Sequence, residues 1–383
     1  MELISLAKFA EINPQVQLTK GQTAWFVSMD DVSPSKRDAT PSETRAFGGG
    51  ARFMSGDTLF ARITPCLENG KIARALLARD GEVASGSTEF VVLRGREGVS
   101  DSLFVYYLMR HPDIREMAIG RMEGTSGRQR VPSGFFTDCR VPLWGIDDQR
   151  AIASVLGALD DKIAANTQVI SKIDDLSHTV FRSMGSIDSR MIPLSGTAQF
   201  VNGKAFTKGA SGHGRVVIRI AELNSGIGAS TVYNDIDVEA QHVARPGDLL
   251  FAWSGSLTLH RWFRPEAIVN QHIFKVIPNA GYPYWLVYEL LRHKLDQFKA
   301  IAADKATTMG HIQRKHLDEP VAVPAEETIR RHDELMTALW EKSLAAEVEN
   351  LKLVETRDVL LPQLMSGNVR VKNAEKVLEN AGV

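Results

Sequence analysis

The sequence predicts an α+β protein in which two similar mixed α/β domains are separated by two long helices. The helices are expected to pair as an antiparallel coiled coil and to give the chain a pseudo-two-fold arrangement. A passage near residue 56 recurs near residue 247, and other segments recur in the same order. Each repeated region is followed by a long stripe of apolar residues at helical spacing. Self-similarity at a long period is typical of a duplicated structural unit.

The repeat is clearest in GDTLFARITPCLENGKIA (56–73) and GDLLFAWSGSLTLHRWF (247–263), which share Gly-Asp-x-Leu-Phe-Ala and then diverge. Three weaker matches keep the same order: SGSTEFVVLRG (85–95) with VNQHIFKVIPN (269–279), YYLMRH (106–111) with YELLRH (288–293), and GTSGRQRVPSGFF (124–136) with ATTMGHIQRKHL (306–317). The predicted divisions of the chain are two domains at 1–143 and 187–324, two helical regions at 144–186 and 325–372, and a tail at 373–383.

The two domains are predicted to mix strands and helices. Short apolar runs at Phe90–Leu93, Val216–Ile220 and Ile273–Ile277 are bounded by Gly, Pro and Asn, as strands usually are. Amphipathic helices are predicted around 101–119 and 283–302. The glycine clusters, such as Gly48–Gly50, do not have the spacing or context of a phosphate-binding motif and are interpreted as loops.

The long helices are predicted from apolar residues that recur every three or four positions. Asp147 and Asp148 are candidate N-caps of the first helix, and Leu361-Pro362 is expected to close the second. The apolar stripes are expected to be too narrow for deep burial in a globular core, which favours pairing of the helices with each other. One polar residue falls on each stripe, and we hypothesise that these two meet and set the register of the pair. The partner-facing residues are Ile152, Leu159, Ile163, Asn166, Ile170 and Ile173 in the first helix and Ile329, Met336, Leu339, Asn350, Leu353 and Leu360 in the second.

Composition points to an ordinary soluble protein, with 44% hydrophobic and 24% charged residues in 383. No apolar run approaches the roughly 18 residues of a membrane span, and the N-terminus lacks a signal-peptide layout, so a cytoplasmic location without membrane association is expected. Cys66 and Cys139 lie in no C-x-x-C context, which argues against a zinc site or a disulfide framework. The histidines show no paired ligand spacing, so no metal site is expected.

A net charge of −1 does not by itself indicate nucleic-acid binding, but two slightly basic blocks alternate with acidic helical segments. If the chain binds DNA, Lys and Arg would contact phosphates, and polar side chains in the repeated loops would read base edges. For any one of these residues, a solvated charge or a loop-capping role is the alternative. The candidates in the first domain are Arg52, Arg62, Asn69, Lys71, Thr125, Ser126, Arg128, Gln129 and Arg130. Those in the second are Trp253, Ser254, Ser256, Arg261, Thr307, Thr308, His311, Gln313 and Lys315.

No catalytic site is predicted. An adenine methyltransferase needs a [DNS]-P-P-[YFW] loop, and Asn13-Pro14-Gln15 does not match it. Asp57, Glu68 and Lys71 could be drawn into a nuclease site, but Glu68 and Lys71 are three residues apart rather than the usual two. A turn aspartate and solvated charges are the simpler interpretation. The pattern favours a binding scaffold without catalysis of its own.

GDTLFARITPCLENGKIA, LGALDDKIAANTQVISKIDDL (156–176) and LLPQLMSGNVRV (360–371) together resemble the specificity subunit of type I restriction–modification systems. The resemblance covers nearly the whole chain. It implies two target recognition domains, each reading one half of a bipartite DNA sequence, with the helices as a spacer. The second copy of the repeat lacks the Asn-Gly-Lys ending, so transfer of residue roles within that half is limited.

The resemblance also implies partners: double-stranded DNA, two modification (methyltransferase) subunits docked on the helices, and restriction (endonuclease and translocase) subunits. S-adenosylmethionine, ATP and Mg would be bound by those partner subunits, with no cofactor in this chain. Three alternatives remain: the specificity subunit of a methylation-only or other multi-subunit restriction system, a protein–protein adaptor that binds no DNA, and a divalent-metal nuclease.

Overall fold

The computed structural model describes residues 2–79, 81–125, 127–185, 189–304 and 310–382. The chain divides into two compact units: unit 1 contains Met1–Ala165 and Lys352–Val383, and unit 2 contains Asn166–Leu351. Each long helix is therefore shared between the two units. The domain bounds and the pseudo-two-fold relation expected from the sequence stay predictions.

The strands of unit 1 are β1 (Leu3–Ser5), β2 (Ala10–Ile12), β3 (Thr23–Val27), β4 (Asp38–Ala39), β5 (Glu43–Ala46), β6 (Ala51–Met54), β7 (Thr58–Ala61), β8 (Ile72–Ala75), β9 (Val83–Gly86), β10 (Phe90–Gly95) and β11 (Arg140–Pro142). The helices that begin in it are α1 (Leu6–Phe9), α2 (Ser102–Arg110), α3 (Pro112–Gly120), α4 (Ser133–Asp138) and α5 (Ile146–Met184).

The strands of unit 2 are β12 (Arg190–Pro193), β13 (Ala198–Asn202), β14 (Arg215–Ile218), β15 (Tyr233–Asn234), β16 (Val243–Ala244), β17 (Leu249–Ala252), β18 (Thr258–Arg261), β19 (Ala267–Val269), β20 (Ile273–Pro278) and β21 (Pro320–Val323). The remaining helices are α6 (Ile220–Ser225), α7 (Tyr284–Asp304), α8 (Glu326–Met365) and α9 (Val371–Ala381).

The two units have the same sheet topology, which confirms the predicted internal repeat. Unit 1 orders its sheets β2-β10-β7-β8-β4 and β5-β3-β9-β6, and unit 2 orders them β13-β20-β17-β18 and β15-β14-β19-β16. The second sheet of each unit has one parallel pair, β3 with β9 and β14 with β19. A two-stranded ladder closes each unit, β1 with β11 and β12 with β21. Among the strands of the described residues, β4 alone lacks a counterpart.

The long helices pair antiparallel within each unit, as predicted. In unit 1, Asp160 of α5 contacts Arg357 of α8, with Nη1 2.6 Å from Oδ1, and the indole nitrogen of Trp144, just before α5, donates to the carbonyl of Met365 at 3.3 Å. In unit 2, the side-chain amide of Asn166 donates to Oδ1 of Asn350 at 3.0 Å. Residue numbers rise along one helix as they fall along the other. The hypothesis that the two asparagines meet is therefore confirmed.

The apolar stripes lie deeper than the sequence predicted. Leu159 is fully buried and Leu353 is 2% exposed within the core of unit 1, and Met336 is 1% exposed in the core of unit 2. The expectation that the stripes are too narrow for deep burial was wrong, because each helix half packs on its own sheet-and-helix core as well as on the other helix. The remaining predicted positions are buried, as Ile152, Ile163, Ile329 and Leu360 are, or half-buried, as Ile170, Ile173 and Leu339 are.

The predicted end of the second helix at Leu361-Pro362 was also wrong. Helix α8 continues through Pro362 to Met365. A proline removes one backbone donor, but here Leu361, Leu364 and Met365 are all buried in the core of unit 1, and this burial favours the helical turn. The tail forms α9, whose Ala374 and Leu378 are buried in the same core.

Candidate nucleic-acid interface

The shared Gly-Asp passage builds the same tight turn in both units. Gly56 and Gly247 have φ of 91° and 98°, a region that favours glycine. The Asp57 carboxylate accepts from the backbone nitrogen of Met54 at 2.8 Å, and Asp248 accepts from that of Arg245 at 2.7 Å. The turn thus places β7 and β17 at equal positions in their sheets.

Each of these aspartates also forms an ion pair with a basic residue on the neighbouring strand. Asp57 is 1% exposed and lies 2.6 Å from Nε of Arg94 on β10, and Asp248 lies 2.8 Å from Nζ of Lys275 on β20. Both pairs fasten the turn to the central strand. The front of the repeated passage is therefore a structural element, which leaves the loop after it free to vary.

In unit 1 the chain beyond β7 pairs with the segment at 123–131. The backbone nitrogen of Arg62 donates to the carbonyl of Glu89 at 2.9 Å, and that of Val131 donates to the carbonyl of Arg62 at 2.8 Å. Thr64 donates to the carbonyl of Gln129 at 3.0 Å. Two stretches that the sequence proposed separately thus lie side by side.

Three charged side chains meet where these stretches join. Nε and Nη2 of Arg130 lie 3.0 and 2.8 Å from the Glu89 carboxylate, and Nε of Arg62 lies 3.4 Å from it. The pKa of the Glu89 carboxyl lies below its ordinary value, mainly because of the hydrogen bond from Arg130. One carboxylate therefore orients two guanidinium groups, and the side chain of Arg130 remains 45% exposed.

Arg62 also lines a depression of about 350 Å³ together with Arg52, Asn13, Gly50 and Thr88. Gly50 has a φ of 107°, and a Cβ added to it would overlap the carbonyl oxygen of Gly86. Only glycine fits this close approach of two backbones. The depression brings together two of the predicted basic residues, Arg52 and Arg62, at the end of the sheet.

Other predicted residues of unit 1 have different roles. Lys71 donates to the carbonyl of Met29 at 2.8 Å and lies 3.7 Å from Asp30, so its ammonium holds a neighbouring loop and does not line the depression. Asn69, Thr125 and Arg128 are exposed. Ser126 lies outside the described residues.

In unit 2, Trp253 follows β17, and two imidazole rings and the Phe274 ring lie near its indole. Its ring centroid lies 5.2 Å from that of His272 and 6.5 Å from that of His311. The indole nitrogen donates to Oδ1 of Asn202 at 2.8 Å. The backbone nitrogen of Trp253 donates to the carbonyl of His272 at 3.1 Å, and that of Ile312 donates to the carbonyl of Trp253 at 3.1 Å.

Arg261 was predicted to contact DNA, and the structure places it elsewhere. Its Nε lies 2.9 Å from Glu347 and its Nη2 donates to the Ser343 hydroxyl at 2.5 Å, both on α8. The guanidinium also lies 4.6 Å from the ring centroid of Trp340. Because the side chain is only 8% exposed, we remove Arg261 from the candidate surface and assign it to the packing of β18 on α8.

The remaining candidates of unit 2 are divided between core and surface. Ser254 is 8% exposed and forms an isolated backbone β-bridge with His311, whereas Ser256, Gln313 and Lys315 are exposed. Lys315 lines a depression of about 720 Å³ along β13 with Arg314 and Asn202. Thr307 and Thr308 lie outside the described residues.

Sequence reasoning missed Glu89 and His272, because each belongs to a strand lead-in that is far along the chain from the loop it supports. It also missed a buried group between the helices of unit 1. Oδ1 and Oδ2 of Asp160 accept from Arg357 and from the Tyr107 hydroxyl, each at 2.6 Å. The only signal for it was Asp160 in the LDDKI segment, which could not indicate a partner 197 residues away.

In the described part of the chain, every helix is too short or too polar to span a membrane. Within the same ranges, no three His, Cys, Asp or Glu side chains converge in a way that could hold a metal ion.

Comparison with known proteins gives a consistent result. No family model matches the chain. The chain is 31% identical over 163 residues to the type I restriction enzyme EcoEI specificity subunit of Escherichia coli, an alignment that covers 41% of this chain and 27% of that protein. It is 26% identical over 201 residues to the EcoAI specificity subunit of the same organism, with 51% and 32% covered. The matched part is thus about a third or less of each relative.

Among solved structures, the S subunit of a type I restriction–modification system from M. genitalium superposes with a TM-score of 0.55 at 14% identity, with 95% of each chain covered. At this identity the likeness concerns the fold. In sequence over part of its length, and in fold over nearly all of it, the chain resembles the specificity subunits of type I restriction–modification systems.

Proposed function

We propose that the chain is the DNA sequence-specificity subunit of a type I restriction–modification complex. Each unit reads one half of a bipartite target, and α5 and α8 set the gap between the halves. The chain itself carries out no catalysis and directs the methyltransferase and endonuclease activities of its partners.

The main support is the combination of one topology with two different loop chemistries. A duplicated unit with the same strand order, the same Gly-Asp turn and an ion pair from the turn aspartate to the neighbouring strand presents charged side chains at one place and aromatic ones at the matching place. Direct readout of DNA needs a stable framework and variable side chains at its edge. Two units that share one topology but carry different loop side chains suit a DNA target whose two halves differ in sequence.

The partners follow from the same proposal. Two modification subunits dock on the helical regions and bind S-adenosylmethionine, and restriction subunits that use ATP and Mg join the complex to cut. Exposed Arg, Lys and Asn side chains of the loops contact phosphates, which makes binding dependent on salt.

The test is a genome-wide map of methylated adenines in cells that carry the chain and in cells from which it is deleted. We expect a bipartite motif that is methylated only when the chain is present. Restoring the full-length chain should restore the motif, and restoring it with α5 and α8 each lengthened should restore both halves with a changed gap. A methylation pattern that is the same with and without the chain would disprove the proposal. If the assembled complex bound no duplex DNA at any salt concentration, the adaptor alternative would be favoured.

A further inference from the structure

Three positions in unit 1 have exact backbone counterparts in unit 2. Arg62 and Trp253 both follow Gly-Asp-x-Leu-Phe-Ala, and the backbone nitrogen of each donates to the residue before a central strand, Glu89 or His272. The backbone nitrogen of Val131 donates to the carbonyl of Arg62, and that of Ile312 donates to the carbonyl of Trp253. The third position is the residue just before each of these donors, Arg130 in unit 1 and His311 in unit 2. Matching bridges, Ile63 with Arg130 and Ser254 with His311, complete the correspondence.

The strand register supports the same equivalence. Phe90 pairs with Ala61 in unit 1, and Ile273 pairs with Ala252 in unit 2. Ala61 and Ala252 end the shared hexapeptide, so the residues immediately before Phe90 and Ile273 occupy one position. Glu89 and His272 are therefore counterparts.

The chemistry at these three positions is entirely different in the two units. Unit 1 has two arginines bridged by one glutamate, with hydrogen bonds of 2.8 to 3.4 Å. Unit 2 has an indole with two imidazoles near it, at ring-centroid distances of 5.2 and 6.5 Å. Since the surrounding strand order and turn are the same, the fold does not dictate which set is present.

We propose that these three positions determine which base pair each unit recognises: Arg62, Glu89 and Arg130 in unit 1, and Trp253, His272 and His311 in unit 2. The proposal rests on the proposed DNA-reading function and assigns its specificity to a defined cluster. Glu89 is a positioning residue, since it orients the two guanidinium groups.

The ligand chemistry follows from the donors that each cluster presents. A guanidinium carries five N–H donors, and Glu89 engages Nε and Nη2 of Arg130 while Nη1 has one longer contact, 3.4 Å to the carbonyl of Arg128. Donors held in this way match the O6 and N7 acceptors of guanine in the major groove. Unit 1 therefore reads a G·C pair.

At the same place unit 2 presents the indole ring of Trp253, with the imidazoles of His272 and His311 beside it. The one N–H of Trp253 is donated to Asn202 at 2.8 Å, which leaves the ring carbons for contact. Contact with the C5-methyl group of thymine is the readout that suits such a surface. Unit 2 therefore reads an A·T pair at this position.

The first experiment maps methylated motifs in cells that express the full-length chain as Arg130→Gln or as the graft Arg62→Trp, Glu89→His and Arg130→His. We expect Arg130→Gln to reduce the preference for G·C at one position of the methylated motif by roughly 5- to 100-fold. The other half of the motif should be unchanged. The graft should replace that position by A·T. The control is Arg45→Gln, which removes another exposed arginine of unit 1 that is paired with a glutamate, Glu43; its motif should equal that of the wild type.

A second measurement needs no variant of the protein. The wild-type complex is titrated with its mapped target after guanine in the unit 1 half has been replaced by 7-deazaguanine, which lacks N7. The proposal is supported if replacing one such guanine weakens binding and if replacing guanines in the unit 2 half leaves binding unchanged. A unit 1 half without guanine, full binding to every 7-deazaguanine duplex, or an unchanged motif in the Arg130→Gln chain would overturn it. The proposed function would survive those results and fails only if no motif depends on the wild-type chain.

Discussion

The buried pair between Asp160 and Arg357 gives the sharpest prediction of stability. Both side chains are 2% exposed, and they lie 2.6 Å apart in unit 1. Burial pushes the pKa of Arg357 down, but the Asp160 and Asp358 carboxylates outweigh that effect and the pKa is raised. Arg357→Met keeps most of the apolar stem and removes the charge, which leaves Asp160 buried with the Tyr107 hydroxyl as its donor among the described residues.

Breaking a buried ion pair by removing one partner costs about 3–5 kcal/mol, because the remaining charge is left without compensation. Replacing both charged groups is much less costly by the same reasoning. We therefore expect Arg357→Met to lower the free energy of unfolding by about 3–5 kcal/mol. The double variant Arg357→Met and Asp160→Asn should recover more than half of that loss.

Denaturant unfolding of the full-length chain, followed by circular dichroism, measures both values. The matched control is Arg331→Met, which removes an exposed arginine of the same helix whose partner Glu327 lies 3.3 Å away. Its effect should stay within about 0.5 kcal/mol, since exposed pairs contribute little. If Arg357→Met were no more destabilising than Arg331→Met, the assigned role of the buried pair would be wrong.

Three further predictions concern the helix pair, the depression in unit 1 and its charged cluster. Asn166→Leu removes a donor to Glu349 and Asn350 and should destabilise the chain by about 1–3 kcal/mol, whereas Asn166→Leu with Asn350→Leu should be near neutral in thermal melts; equal losses would contradict this. Gly50→Ala should lower stability by about 1–3 kcal/mol through overlap with Gly86, and Gly48→Ala, where a Cβ meets nothing within 4 Å, should not. Glu89 has a lowered pKa, so its pairing with Arg130 stabilises the fold above the ordinary value of 4.5 and the effect is lost as pH falls through the lower, folded-state pKa. The stability difference between wild type and Glu89→Gln should therefore be larger at pH 7 than at pH 3, and a difference independent of pH would refute it.

Much of the architecture could be predicted because its signals are local or periodic. The Gly-Asp turns and the heptad-like stripes are each contained within a few residues of sequence, and the meeting of Asn166 and Asn350 followed from their places on the two stripes. The helix end at Pro362 was mispredicted because burial of neighbouring side chains, which a proline rule does not include, favours one more turn.

The cluster positions could not be predicted because they depend on strand register. A direct alignment of SGSTEFVVLRG with VNQHIFKVIPN makes Phe90 equivalent to Phe274. The strand pairing instead makes Phe90 equivalent to Ile273, because each pairs with the last residue of the shared hexapeptide. This shift of one residue is what makes Glu89 and His272 counterparts. Arg261 was misassigned for a related reason: a polar residue in a loop-like stretch does not reveal whether it points to solvent or onto α8.

The most direct test exchanges residues 187–324 for the corresponding region of another such chain and maps the methylated motif. Arg190 on β12 and Val323 on β21 are paired in the register of one ladder, so the described ends of the exchanged segment lie side by side, outside α5 and α8. Two independent readers predict that one half of the motif is replaced, while the other half is kept. A motif that is unchanged, or that changes in both halves at once, would contradict the account.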